Sequence, residues 1–272
     1  MDFNGKNVWI TGGASGIGLA IGKRFASRGA HVTVFDLRLR DEALLELESA
    51  RRFSAIPVRS YVLDVADGEQ VRRLFNLAAK ETGMPALVFN SAGIVSAVEF
   101  DRLSYDEWDR VIRVNLYGSR NVASASLPLL APGARLALMA SLAGIAGGYG
   151  YAAYAASKFG VVGLAEVLRV EWHPRGIEVS VICPPEVETP MVQEERKFRP
   201  RATSDMKLFA GTLTVDEAAD AIVAGLERGR YMIVPGGKGK MTYLLTKFLP
   251  RMITHRVADV IVTRALAKRQ ET

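Results

Sequence analysis

The segment NVWITGGASGIG, residues 7–18, passes from a β-branched apolar run into a glycine cluster and then into helical periodicity. Val8, Trp9 and Ile10 suit a strand covered on both faces. Gly12, Gly16 and Gly18 let the backbone turn tightly and approach a pyrophosphate, with Ser15 and Ile17 between them. The following helix offers that anion its free N–H groups and the positive end of its dipole. A glycine string alone is a weak signal. Its position after the first strand and before the first helix supplies the context a dinucleotide site requires.

Downstream residues extend this site. Asp36 closes the run HVTVFD (31–36), eighteen positions beyond Gly18. A carboxylate there accepts hydrogen bonds from both adenosine ribose hydroxyls and repels a 2′-phosphate, which favours NAD over NADP. Arg38 and Arg40 are the opposing signal, since an arginine nearby accommodates that phosphate. Asp64 and Val65, closing the run 60–65, are placed to bracket the adenine. Asn90, Ala92 and Gly93 end the run 86–90, where small residues let the chain pass close to the cofactor.

Apolar runs continue at 135–140, 178–183 and 231–234, alternating with helical patterns near 17–28, 41–52, 67–82, 105–130, 151–173 and 215–228. This alternation predicts a doubly wound Rossmann fold: a seven-stranded parallel sheet flanked by helices, filling 1–237 as one domain. Thr214 and Glu217 have the spacing of a capping box. Residues 188–213 are charged and poorly periodic, and read as a long loop serving as a substrate lid. Residues 238–272 form a helical extension. They hold eight lysines and arginines against Asp259 and Glu271, so the tail carries the whole net charge of +6 and the body is neutral.

Ser141 follows the fifth apolar run, and Tyr154 and Lys158 lie four residues apart on one helix face. A tyrosine hydroxyl with an ordinary pKa of about 10 is a poor base, and an ammonium beside it stabilises the phenolate. Serine can hold a substrate oxygen, and Asn115 can anchor a water that carries protons out. TGGASGIG (11–18), NSAG (90–93), Asn115, Ser141 and YAASK (154–158) resemble the short-chain dehydrogenase/reductase family up to about residue 235. The resemblance implies that Tyr154 is the acid/base, that Lys158 also binds the nicotinamide ribose, that Ser141 orients substrate and that Asn115 completes a proton relay. It also implies hydride transfer between nicotinamide and a carbonyl carbon without metal. NSAG departs from the usual NNAG. Pro184-Pro185 departs from Pro-Gly, just before the nicotinamide-binding segment Val187–Thr189.

The segments GYAAYAASKFGVVGLAEVLRVEW (150–172) and PPEVETPMVQEERKFRP (184–200) are similar to the 3-ketodihydrosphingosine reductase subgroup. Small and apolar residues at 142–148 favour a lipophilic ketone or secondary alcohol: a 3-keto lipid, a long-chain acyl compound or a steroid-like molecule. Met241, Leu244, Leu245, Phe248 and Leu249 form an apolar stripe among lysines, suited to a membrane surface or to packing on the core or another subunit. The family implies a homodimer or homotetramer.

Composition excludes several other classes. Three scattered histidines give no metal-ligand spacing, and the tail lacks aromatics interleaved for nucleic acid. A single cysteine, Cys183, fits a reducing cytoplasm. No targeting segment or membrane-spanning run is expected. A non-catalytic NAD-binding sensor on the same fold is the alternative from another class.

Overall fold

The computed structural model describes residues 1–52 and 56–267. Lys268, Arg269 and Glu271 of the tail lie outside them. β1 (Asn7–Thr11), β2 (His31–Asp36), β3 (Arg59–Val62), β4 (Leu87–Asn90), β5 (Arg135–Met139) and β6 (Glu178–Ile182) are the long strands. β7 (Glu186–Val187) and β8 (Thr212–Leu213) pair separately, and β9 (Met232–Ile233) closes the main sheet. The main sheet is seven-stranded, parallel throughout, and ordered β3-β2-β1-β4-β5-β6-β9.

Alternation along these strands builds two apolar layers. Trp9, Phe35, Val88, Leu136, Leu138 and Val181 face one side, and Val8, Ile10, Val34, Leu87, Ala137 and Ile182 face the other, all buried. The first layer is covered by α3 (Gly68–Thr82), α5 (Gly118–Ser126) and α6 (Ala152–Trp172). The second is covered by α1 (Gly16–Ser27), α2 (Asp41–Ser49) and α9 (Val215–Glu227). Both faces are therefore dry, as the continuous apolar runs require. The capping box of Thr214 and Glu217 forms at the start of α9.

Three local departures bear on the site. The third strand stops at Val62 because side chains take over its backbone bonding: Asp64 N–H donates to Gln70 Oε1 (2.7 Å), and Ala66 N–H donates to Asp64 Oδ1 (2.9 Å). The helical run expected at 105–130 is divided. α4 (Tyr105–Ile112) and α5 are joined by a π-helical turn over Arg113–Tyr117. Residues 188–213 are not a long loop: they fold as α7 (Pro190–Arg196) and α8 (Arg201–Ala210), joined by a short connection. Thr189 caps α7 by accepting from Val192 N–H (3.3 Å), and the charged face that obscured the periodicity is held by ion pairs.

The tail comprises α10 (Gly237–Phe248) and α11 (Arg251–Ala267), both packed against α8. Gly239 of α10 is buried, whereas Met241, Leu244, Leu245, Phe248 and Leu249 all face solvent. The expected alternative of a stripe docked on the core is therefore not how the chain folds. The stripe continues into α11 through exposed Met252, Ile253, Val257 and Val260.

Candidate active site

A cavity of about 660 Å³ opens beyond the C-terminal ends of the central strands, where the sheet order reverses between β1 and β4. Gly12, Ser15, Gly16 and Ile17 form one wall, and Asp36, Asp64 and Val65 surround its outer end. Ala92 and Gly93 line the floor, and Ser141, Tyr154 and Lys158 stand midway. Pro184, Val187 and Thr189 close the side nearest α7.

The glycines here answer to space as well as to conformation. Gly12 adopts φ +66°, and a Cβ there would lie 2.7 Å from the Ala92 backbone nitrogen. Gly18 does not line the cavity; a Cβ on it would meet the Gly12 carbonyl at 2.1 Å, so its role is to let α1 approach the turn. Ser15 makes no side-chain cap to α1, and Ser15, Gly16 and Ile17 at the start of that helix line the cavity. This cradle fits a pyrophosphate. At the outer end, Asp36 accepts from the backbone N–H groups of Ala14 (3.0 Å) and Arg38 (3.1 Å), which fixes its carboxylate at the rim. Arg40 donates to the Ala14 carbonyl (2.8 Å), and Leu37, not an arginine, is the neighbour that lines the cavity.

Asn90 and Asn115 stand behind the cavity. Asn90 accepts from the Thr11 hydroxyl (2.5 Å) and donates to Ser119 Oγ (2.9 Å), tying β1, β4 and α5 together. Asn115 sits in the π turn, fully buried. Its Oδ1 accepts from Ile94 N–H (2.8 Å), while Nδ2 donates to the Ile94 carbonyl (2.9 Å) and to Ser157 Oγ (3.0 Å). The widened turn lets this amide cross to the Gly93–Ile94 loop and α6. The geometry makes it a clamp on the Gly93–Ile94 segment that lines the cavity.

Ser141 precedes a short 3₁₀ turn and accepts from Ala143 N–H (3.1 Å). Lys158 is buried, donates to the Met139 carbonyl (2.9 Å), and places its ammonium 5.7 Å from the centre of the Tyr154 ring. Burial pushes the Tyr154 hydroxyl up to about 12, with the Ser141 hydroxyl pulling it back. Burial likewise brings Lys158 down to about 8. Near neutral pH the tyrosine therefore holds its proton. Cys183 is buried and its thiol is pushed up to about 12 by desolvation, as befits core filler.

Several wall residues had no sequence signal. Glu186 enters from β7, Met191 from α7, Thr203, Met206 and Lys207 from α8, and Thr242 from α10. Tyr151 also lines the cavity, and its spacing of three from Tyr154 was the available clue.

Comparison with known proteins shows the family. A family model described as short chain dehydrogenase matches residues 6–200. A 3-dehydrosphinganine reductase of Arabidopsis thaliana is 36% identical over 234 residues, spanning 84% of this chain and 69% of that protein. D-threitol dehydrogenase of Mycolicibacterium smegmatis is 33% identical over 244 residues, spanning 86% and 93% respectively. Among solved structures, levodione reductase superposes with a TM-score of 0.77 at 29% identity, covering 88% of this chain and 98% of its own. A Burkholderia phymatum protein in complex with NAD shares the fold at a TM-score of 0.78 and 24% identity, covering 94% of this chain and 96% of its own. The chain belongs to the short chain dehydrogenase family of oxidoreductases, and its relatives within that family include the 3-dehydrosphinganine reductases.

Proposed function

We propose that this protein reduces a lipophilic ketone to a secondary alcohol with NADH. The carrying observation is one cavity that holds Asp36 at its outer end, Ser141, Tyr154 and Lys158 midway, and mostly apolar walls from Val95, Ala146, Met191 and Met206 beyond. Asp36 and Leu37 at the rim support NAD over NADP, since Arg40 is engaged by the Ala14 carbonyl. Bound NADH supplies the hydride. Ser141 holds the ketone oxygen, Tyr154 donates its phenolic proton to that oxygen, and Lys158 binds the nicotinamide ribose and steadies the phenolate left behind. Asn115 fixes the loop beneath the nicotinamide end. Burial keeps the proton on Tyr154, which is the acid that ketone reduction requires.

The test is NADH oxidation with 3-dehydrosphinganine, beside D-threitol oxidation with NAD in the reverse direction. Turnover of the long-chain ketone alone is the expected result. Turnover of the polyol alone would overturn the lipophilic assignment. If neither reacts while the wild-type chain still binds NADH, the non-catalytic sensor is the better reading.

The same reading gives α10 and α11 a role as a membrane contact for a cytoplasmic enzyme. Phe248 and Met241 are 72% and 58% exposed on a face flanked by Lys238, Lys240, Lys247 and Arg251. An apolar stripe bordered by cations suits an anionic bilayer surface. Thr242 on α10 lines the cavity, so one helix joins that surface to the site. Among the described residues no helix is long and apolar enough to cross a membrane.

A further inference from the structure

Glu186 and Lys207 line the cavity and belong to a polar cluster behind them for which hydride transfer itself has no use. The side chains of Glu186 and Glu195 are 2% and 4% exposed. Arg199 pairs with both, and Arg196 pairs with Glu186 and Glu188. Lys207 of α8 stands 2.6 Å from Glu186 and 3.6 Å from Glu195. Three carboxylates thus face three cations, and the cluster fastens α7 and α8 to β7.

Tyr151 joins this cluster to the catalytic helix. The Tyr151 hydroxyl donates to Glu195 Oε1 at 2.6 Å, and the Lys207 ammonium lies 5.0 Å from the centre of the Tyr151 ring. Tyr151 stands at the start of α6, and its ring centre is 5.4 Å from that of Tyr154 at an interplanar angle of 52°. Apolar packing alone would be met by phenylalanine at 151. The hydroxyl adds a directional tie between the lid and the ring that supports Tyr154, and it fills a lone pair of a carboxylate withdrawn from water. A proton donor must be held to within a fraction of an ångström of productive geometry, so the attitude of the supporting ring matters.

We propose that Glu195 and Tyr151 are positioning residues, through which the seated lid sets the orientation and charge environment of Tyr154. The proposal rests on Tyr154 being the proton donor. Glu195 acts on Tyr154 by charge as well as by geometry, because a nearby carboxylate disfavours the phenolate. The other titratable or charged groups around Tyr154 are Cys183 at the end of β6, Lys158 one turn along α6, and Tyr151 before it, with Arg199 and Lys207 behind Glu195.

Two substitutions separate the components. Tyr151→Phe removes the hydrogen bond and keeps every ion pair. Glu195→Gln keeps an acceptor and removes the charge. The full chain carrying [13Cζ]tyrosine is titrated by NMR, with the Tyr154 resonance assigned by its disappearance in Tyr154→Phe; this readout needs no substrate. Glu195→Gln should move Tyr154 ionisation to lower pH by about one unit, and Tyr151→Phe should displace the Tyr154 resonance at neutral pH. With 3-dehydrosphinganine, Tyr151→Phe should lower kcat on the order of tenfold to a hundredfold, leaving KM for NADH within about twofold. The exposed Lys197→Ala, which breaks only the Lys197–Glu194 pair, should change none of these. An unmoved Tyr154 resonance in both variants overturns the proposal, as does wild-type kcat in both. If the wild type fails to turn over 3-dehydrosphinganine, the substrate assignment falls and the NMR titration still decides the positioning role. If Glu195→Gln does not fold, Tyr151→Phe decides alone.

Discussion

Asp36→Ala is expected to collapse the preference for NAD. In the structure the Asp36 carboxylate is fixed by two backbone donors, Ala14 N–H at 3.0 Å and Arg38 N–H at 3.1 Å, leaving lone pairs directed to the cavity rim. A hydrogen bond to a charged group contributes roughly 1.5–3 kcal/mol. Asp36 is half-buried, so the lower end of that range applies to each ribose hydroxyl, giving about 3 kcal/mol for the pair. That corresponds to on the order of a hundredfold weaker NADH binding, since about 1.4 kcal/mol is tenfold. NADPH binding should strengthen at the same time, because the carboxylate that repels the 2′-phosphate is gone. Asp36→Asn separates the two effects, keeping one acceptor oxygen while removing the charge. Calorimetric titration of wild type and both variants with NADH and NADPH gives the six affinities needed. Wild-type protein that binds NADPH as tightly as NADH, or an alanine variant that keeps its discrimination, would refute the assignment and point to Arg38 or Arg40 instead.

Tyr154→Phe should lower turnover by about 10²–10⁴-fold while NADH affinity by calorimetry stays nearly constant, since only the ionisable hydroxyl is lost. Lys158 offers a pH test: burial holds it near 8 in the folded chain against an ordinary 10.5, so the folded state binds its proton less tightly than the unfolded one. Wild-type stability attributable to this group therefore rises with pH from about 8 toward 10.5, and melting curves at pH 7 and pH 10 should show the wild type gaining on Lys158→Met; an unchanged gap would mean the ammonium is compensated in the fold. For the tail, the full chain should co-sediment with anionic phosphatidylserine vesicles, less so at high salt, and Leu244→Asp with Phe248→Asp should abolish it. A doubled mass by size exclusion that those substitutions reduce, without vesicle binding, would assign the stripe to a second copy of the chain.

The sequence by itself determined the sheet and the glycine turn before α1, because both rest on local chemistry. Apolar runs alternating with helical periodicity define parallel strands wherever they fold, and Gly12, Gly16 and Asp36 lie at fixed offsets from a strand end. The spacing of Tyr154 and Lys158 is a helix-face relation, equally legible without coordinates. What the sequence left open depends on contacts between distant segments. Residues 188–213 read as a loop because the charges that interrupt their periodicity find partners only in the folded chain: Arg196 and Arg199 meet Glu186, and Lys207 crosses from α8 to the same carboxylate. Asn115 was legible as a candidate relay anchor, while the bonds of its amide to Ile94 and Ser157 needed the fold, because they join a π turn to two distant segments. The stripe on α10 was plain as a pattern, but periodicity marks an apolar face without saying what lies against it. Only the packing of α10 on α8 through its opposite side turned that face outward to solvent.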